Sequence, residues 1–303
     1  MFNWPREICD WNVKEFGGHK DEVNSVAFSP DFEMMVTGSD DERVRIFNAK
    51  TKQMICKLKG HTGAVRSVAI SPNSKYIASG SFDKSILVWV TRSASLLHRL
   101  EGHSKSVEVV VFSPDSSHLC SGSWDRTAVL WNLETGEAVR VFRGHTGMIQ
   151  SIAFSQCGKW LATGSWDYTV RVWGLKQPDP SEEDSLVMSC HKGNIHAVTF
   201  SKNGMLASGS WDKTICLWNP RNGRLLHVLK GHKGWVQALS FSLDGCFLAS
   251  ASDDGSVRLW DVVTAECLNV LEGHTDIAQQ CGFTQTGALV ASGAAFIALK
   301  LFP

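Results

Sequence analysis

A Gly-His pair recurs along the chain at Gly18-His19, Gly60-His61, Gly102-His103, Gly144-His145, Gly231-His232 and Gly273-His274, with Cys190-His191 in the one gap. The steps between successive histidines are 42, 42, 42, 46, 41 and 42 residues. Such a period means one supersecondary unit, used again and again, that buries its apolar face against the next copy. Three more markers keep the same register. An Asp follows the His by 22 residues at Asp41, Asp83, Asp125, Asp167 and Asp254, and by 21 at Asp212. An aromatic residue follows that Asp by six, at Phe47, Trp89, Trp131, Trp173, Trp218 and Trp260. A Ser or Thr precedes it by four, at Thr37, Ser79, Ser121, Thr163, Ser208 and Ser250. The repeat explains why 303 residues hold 12 Trp and 26 Gly but only two Tyr.

Within a unit the pattern is that of short strands separated by turns. In the fourth unit the strands read as 149–154, 160–164 and 169–173, with a fourth just before the next His marker. Ser29-Pro30-Asp31, Ser113-Pro114-Asp115 and Asp244-Gly245 supply turn chemistry between first and second strands. Apolar residues fall on both faces of these strands, as suits sheets covered on both sides, and no stretch reads as an ordinary helix.

Composition narrows the function classes. Thirty Lys and Arg balance thirty Asp and Glu, which argues against a dedicated binder of nucleic acid or membrane surface. Nine scattered cysteines, none in a C-x-x-C pair, read as reduced thiols of a reducing compartment. The opening Met1-Phe2-Asn3-Trp4-Pro5-Arg6-Glu7 lacks the layout of a signal peptide, and no apolar run approaches the ~20 residues of a membrane span. The expectation is a cytoplasmic protein, with the nucleus as an alternative, that is a monomer on its own.

In these markers the chain resembles the WD40-repeat β-propeller family, whose units run ~40–45 residues with Gly-His and Trp-Asp signatures. The likeness covers nearly the whole chain. It implies an all-β, seven-bladed propeller with four antiparallel strands per blade. It implies one domain over 1–303, with repeats at about 19–58, 61–100, 103–142, 145–184, 190–229, 232–271 and 274–303. It also implies closure by the N-terminus: residues 8–16, where Trp11-Asn12-Val13-Lys14-Glu15-Phe16 aligns with Met54-Ile55-Cys56-Lys57-Leu58, complete the last blade. The signature Asp is kept only at Trp260-Asp261, its place elsewhere being held by Asn48, Val90, Asn132, Gly174 or Asn219. The seventh unit departs further, with Phe296 for the structural Asp and Phe302 for Trp, and is expected to be the weakest joint.

Ser or Thr, His and Asp in one unit are the makings of a hydrolase triad. Their recurrence in six units argues against it, because a hydrolase needs one such group in one pocket. The resemblance implies instead a buried hydrogen-bond network that clamps the turn between second and third strands. Its members here are His61, Ser79, Asp83 and Trp89; His103, Ser121, Asp125 and Trp131; His145, Thr163, Asp167 and Trp173; His191, Ser208, Asp212 and Trp218; and His232, Ser250, Asp254 and Trp260. His98, His118, His196 and His227 stand apart from this pattern, and no Cys/His spacing fits zinc. Neither G-x-x-x-x-G-K-S/T nor G-x-G-x-x-G after a strand occurs. The expectation is a chain that is no enzyme and takes no cofactor or metal.

Positions that vary while the frame stays fixed carry the information about partners. The residue before the structural Asp lies on the turn between second and third strands. The resemblance puts this turn and the Gly-His loop at the same end of the ring, where partners of the family dock. That residue is Asp40, Phe82, Trp124, Trp166, Trp211, Asp253 and Ala295. Five after His stand Asn24, Arg66, Glu108, Gln150, His196, Gln237 and Gln279, and two before those stand Glu22, Ala64, Ser106, Met148, Asn194, Trp235 and Ile277. Aromatic anchors and Met within mixed charge have the composition of a protein-binding surface. Indoles beside acids could also hold a Lys or Arg by cation–π attraction. The candidate partner-binding set is therefore Phe82, Trp124, Trp166, Trp211, Trp235, Arg66, Glu108, Met148, Gln150, His196 and Gln237, and the expected partner is a protein or peptide segment.

Two other readings stay open. One is a substrate receptor of a cullin-RING ubiquitin ligase; Trp89-Val90-Thr91-Arg92 and Trp218-Asn219-Pro220-Arg221 come near its Trp-Asp-x-Arg but lack the Asp. The other is an RNA-binding propeller using the Trp residues and Arg66, against which the zero net charge stands. The insert Gln177-Pro178-Asp179-Pro180-Ser181-Glu182-Glu183-Asp184 reads as a solvated loop between third and fourth strands, hence on the opposite face, with Ser181 a candidate phosphorylation site.

Overall fold

The computed structural model describes residues 18–175, 185–271, 278–283, 289–293 and 300–302. These residues form 27 strands, and no helix occurs among them. The strands make six four-stranded sheets and one three-stranded sheet, each with its strands side by side in chain order. Neighbouring strands run antiparallel, as in the fourth sheet of Ile149–Phe154, Trp160–Ser165, Thr169–Gly174 and Ser185–Ser189. The last of these lies between the Pro-rich insert and His191, where the sequence pattern puts the fourth strand, so a repeat bounded at 145–184 stops one residue short of its own outer strand. The insert and Ser181 lie outside the described residues, as do the closing segment 8–16, His274 and Phe296.

Burial orders the strands radially. The first strands pack on one another in succession, from Val23–Phe28 through Val65–Ile70, Val107–Phe112, Ile149–Phe154, Ile195–Phe200 and Val236–Phe241 to Ala278–Phe283. They form the inner wall. Second and third strands are buried almost throughout, while fourth strands expose Met54, Leu96, Val139, Val187 and Leu268. The result is a propeller with six complete blades and a seventh of three described strands, Ala278–Phe283, Leu289–Gly293 and Lys300–Phe302.

Apolar side chains cluster between blades. Ala162, Val170, Val172 and Met188 of the fourth blade pack with Ile195, Val198, Leu206, Cys216 and Trp218 of the fifth. Each second strand meets the next blade through a bare backbone. A Cβ on Gly38, Gly80, Gly164 or Gly209 would come within 2.6 Å of Val65, Val107, Ile195 or Val236, and one on Gly122 within 2.7 Å of Ile149. Glycine is required here for close approach, since a β-branched side chain fills the space a Cβ would take. In the sixth unit the glycine becomes Ala251, and the equivalent place on the next inner strand is Ala278 instead of Val or Ile.

This packing makes a measurable demand. Gly164→Ala should cost about 1–3 kcal/mol in chemical denaturation through overpacking. Combined with Ile195→Ala, which vacates the same space, it should cost clearly less than the two single losses added together. Strict additivity would show that the two residues do not compete for one space.

Candidate functional site

A chain of side-chain hydrogen bonds fixes the turn between second and third strands. In the third blade Trp131 Nε1–H donates to Ser121 Oγ at 2.8 Å, and Ser121 O–H donates to His103 Nε2 at 2.8 Å. His103 Nδ1–H then donates to Asp125 Oδ2 at 2.9 Å. The two ends dictate the tautomer: an indole only donates and a carboxylate only accepts, so neutral His103 carries its proton on Nδ1. The same links, at 2.7–3.0 Å, join Trp173, Thr163, His145 and Asp167; Trp218, Ser208, His191 and Asp212; and Trp260, Ser250, His232 and Asp254. His61 bonds Ser79 at 2.6 Å and Asp83 at 2.9 Å, with the Trp89 ring edge-on at 6.2 Å. The first blade has Phe47 in place of the indole, and there Arg45 Nη1 donates to Asp41 at 2.7 Å.

Each Asp also ties the neighbouring loop. Asp83, Asp125 and Asp167 accept the backbone N–H of Thr62, Ser104 and Thr146, the residues after the His markers, at 2.9 Å. Burial alone would raise the pKa of Asp83, Asp125, Asp167, Asp212 and Asp254. Hydrogen bonds from His, from the hydroxyl two residues on and from backbone N–H outweigh it and hold each carboxyl well below the usual carboxylate range. Burial also pulls His19 and His232 below the usual imidazole value, against the opposing pull of Asp41 and Asp254. Ser79, Ser121, Thr163, Ser208 and Ser250 are 0% exposed. The order of a hydrolase triad is thus present, but its nucleophile is sealed in the core.

The clamped turn delivers the rim. The backbone N–H groups of Asp40, Phe82, Trp124, Trp166, Trp211 and Asp253 donate to the carbonyls of Glu22, Ala64, Ser106, Met148, Asn194 and Trp235 at 2.9–3.0 Å. Two of the three variable positions are therefore joined in every complete blade. The third is aimed by a β-bulge: the pairing of first and second strands slips by one residue at Asn24, Arg66, Glu108, Gln150, His196 and Gln237. Such an extra residue is unpaired and re-aims its side chain. The residues before it (Val65, Val107, Ile149, Ile195 and Val236) stay fully buried, whereas all six bulge residues are only half-buried.

The indoles gather into a run. Trp211 stacks on Trp235 with centroids 4.3 Å apart and planes 11° apart. Trp166 tilts against Trp211 at 5.0 Å, and His196 lies along its other side at 6.4 Å. Phe82 meets Trp124 edge to face at 6.5 Å. Exposure divides them. Phe82 is 53%, Trp235 43% and Trp124 39% exposed. Trp166 and Trp211 are half-buried, and their indole nitrogens are buried without a hydrogen-bond partner. Phe82 and Trp124 thus form one exposed pair, and Trp235 is the exposed end of a second group in which Trp211 and Trp166 are more covered.

Polar side chains brace this surface. Ser106 donates to Glu108 at 2.6 Å, and burial raises the pKa of that carboxyl against the opposing pull of Ser106, Arg66 and the nearby Trp124 indole. Asn24 donates to Asp40 at 2.6 Å, and Gln237 to Asp253 at 2.6 Å. Arg66 Nη1 lies 3.5 Å from Asp40. His196 Nδ1–H donates to the Gln237 carbonyl at 3.0 Å, and burial lowers its pKa. Met148 and Gln150 are half-buried on the fourth blade. Sequence reasoning missed Tyr168, exposed on the same turn with φ of 70°. Its signal was an aromatic residue after the structural Asp, where other units have Glu42, Lys84, Arg126, Lys213 or Gly255. Among the described residues no three His, Cys, Asp or Glu side chains converge as a metal ion would need.

Comparison with known proteins follows the same frame. The family model described as "WD domain, G-beta repeat" matches residues 11–48, 52–90, 94–132, 136–174, 183–219 and 223–261. Each later unit takes the outer strand of one blade with three strands of the next, so the sequence repeat and the blade are offset by one strand. Over 48 residues the chain is 44% identical to the guanine nucleotide-binding protein subunit beta of Zea mays, covering 16% of this chain and 13% of that protein. Over 54 residues it is 44% identical to WD repeat-containing protein 38 of Homo sapiens, covering 18% of this chain and 17% of that protein. The chain thus matches less than a fifth of the length of either relative.

Acidification tests the clamp. Because the folded Asp pKa values are depressed, the unfolded chain binds more protons between its own value near ~3.9 and the folded one, so this stability is present above ~3.9 and lost as pH falls. His19 and His232, lowered too, add a loss that starts as pH falls through ~6.5. The melting temperature should sag from about pH 6.5 and drop steeply below about pH 4.5. A flat profile from pH 7 to 4 would contradict the arrangement. Ser121→Ala, which orphans both Trp131 Nε1 and His103 Nε2, should cost about 1–3 kcal/mol by denaturant titration.

Proposed function

The chain belongs to the WD40-repeat family, and from that premise we propose that it is a non-catalytic scaffold holding a peptide segment of another protein across the rim end of the ring. Members of this family generally serve as platforms for protein interaction. The observation that carries the reading here is the set of rim aromatics from the second blade to the sixth, with Phe82, Trp124 and Trp235 exposed to solvent and Trp235 stacked on the half-buried Trp211 beside Trp166. Large rings left uncovered at neighbouring positions mark contact surfaces, and Trp is the residue type that most often dominates their energetics.

Charge narrows the segment. The variable rim positions of the six complete blades carry Glu22, Asp40, Glu108 and Asp253 against the single cation Arg66, which already sits beside Asp40. A segment bearing Lys or Arg gains attraction to these carboxylates and cation–π contact with the exposed indoles. The sealed hydroxyls of the clamp supply no nucleophile, which supports a binding role over a hydrolytic one.

Affinity capture with three forms of the chain checks this. Trp124→Ala combined with Trp235→Ala should lose bound partners, with affinity for any one of them falling by about 100-fold, while the melting temperature changes little. Arg221→Ala, on the opposite end of the ring, should retain them. Equal capture by all three forms would sink the assignment of the rim.

A further inference from the structure

The fifth blade departs from the others at two positions that face each other. The residue before the His marker is Gly in every other unit and Cys190 here. The third-strand residue four after the structural Asp is Arg45, Leu87, Val129, Arg171 or Arg258 in the other complete blades and Cys216 here. A Cβ on Gly60 would lie 2.8 Å from Leu87, one on Gly144 2.6 Å from Arg171, and one on Gly231 2.7 Å from Arg258. In these three blades a Cβ before His would meet the third-strand residue, whereas in the third blade, where that residue is Val129, a Cβ on Gly102 would meet Trp131 at 3.0 Å; at Gly18, Gly60 and Gly144 a positive φ favours glycine as well. In the fifth blade both positions hold thiols. Cys190 packs on the apolar cluster in which Cys216 is buried, near enough for the two thiols to act on each other electrostatically. Both are free, Cys190 half-buried and Cys216 buried.

We propose that Cys190 and Cys216 are a reversible dithiol–disulfide pair whose oxidant is a hydroperoxide. Exposure sets the order of events. The Cys190 thiolate attacks the O–O bond, forming an S–O bond, and the displaced alkoxide takes up a proton and leaves as alcohol. The Cys216 sulfur then attacks the Cys190 sulfenic acid; the S–S bond forms, the S–O bond breaks, and the leaving hydroxide takes the Cys216 proton and departs as water. The two thiols lose two electrons, and the peroxide is reduced to alcohol and water. Burial first, and the nearby Cys190 next, push the Cys216 pKa up, so the more exposed Cys190 meets the peroxide first, and Cys216 reacts only within the pair, losing its proton to the leaving hydroxide as its sulfur attacks. The bond joins the connection entering the fifth blade to its third strand, around His191 and Asp212.

The test uses the full chain treated with hydrogen peroxide, alkylated and digested for mass spectrometry. The expected product is a cross-link between the peptides holding Cys190 and Cys216, about 2 Da lighter than the two thiol peptides together and reversed by dithiothreitol. The oxidised chain should melt roughly 5 °C higher than the reduced one. Cys190→Gly and Cys216→Val, residues that other blades use at these places, should abolish the rise, whereas Cys157→Ser, which removes an exposed thiol elsewhere, should leave it intact. The proposal is overturned if Cys190 and Cys216 stay alkylatable while Cys157 is oxidised, or if Cys190→Gly gains the same thermal shift.

Discussion

The interaction on which everything else rests is the buried run of donors and acceptors from indole through hydroxyl and imidazole to carboxylate. Each member consumes a hydrogen-bonding group of the next, and an unmatched group in the core would cost about 1–3 kcal/mol. Asp125 does more than end the run. It holds the loop after His103 and the turn carrying Trp124, so one carboxylate sets where the rim side chain stands. Without that tie the turn would be a surface loop free to vary, and no aromatic surface could be assembled from residues of separate blades. In the first blade, where Phe47 takes the indole position, His19 still bonds both Thr37 and Asp41, so the rest of the run survives the loss of its indole.

Apolar packing answers a different need. The clusters lie between blades, and the glycines of the second strands let a Val or Ile from the next inner strand rest directly on the backbone. A blade therefore contributes half of each core and cannot be judged alone. The polar clamps give each blade its shape, and the glycine contacts set its spacing from the next. Together they leave the rim as the place where side chains can differ without disturbing the frame.

Much of this was legible before any coordinates. The four markers keep fixed distances because a hydrogen-bonded chain tolerates few residue types at each link, and in the third to sixth blades those residues lie within hydrogen-bonding distance of one another. The three variable positions per unit were also found, because they were counted from those markers. Other features depended on neighbours far away in the chain. Nothing in the spacing says that the Trp211 indole will be stacked on Trp235 of the next unit, or that Phe82 will meet Trp124 edge to face. The bulges at Asn24, Arg66 and Glu108 are equally silent in sequence, since they arise from how two strands pair. The outer strand just before His191 was legible, but its first residue was not: Ser185 lies one position past the repeat boundary drawn at 184, because the insert carries no marker that says where the strand resumes.

The frame and the rim can be told apart in one experiment on the intact chain. Amide hydrogen exchange, followed with and without a bound partner, reads both together. If the clamps are architecture and the rim is the contact, the backbone around Phe82, Trp124 and Trp235 gains protection on binding. The clamped Ser and His amides, already slow, stay as they were. Protection confined to the outer strands, or slow exchange lost at the clamps when the partner binds, would contradict the account.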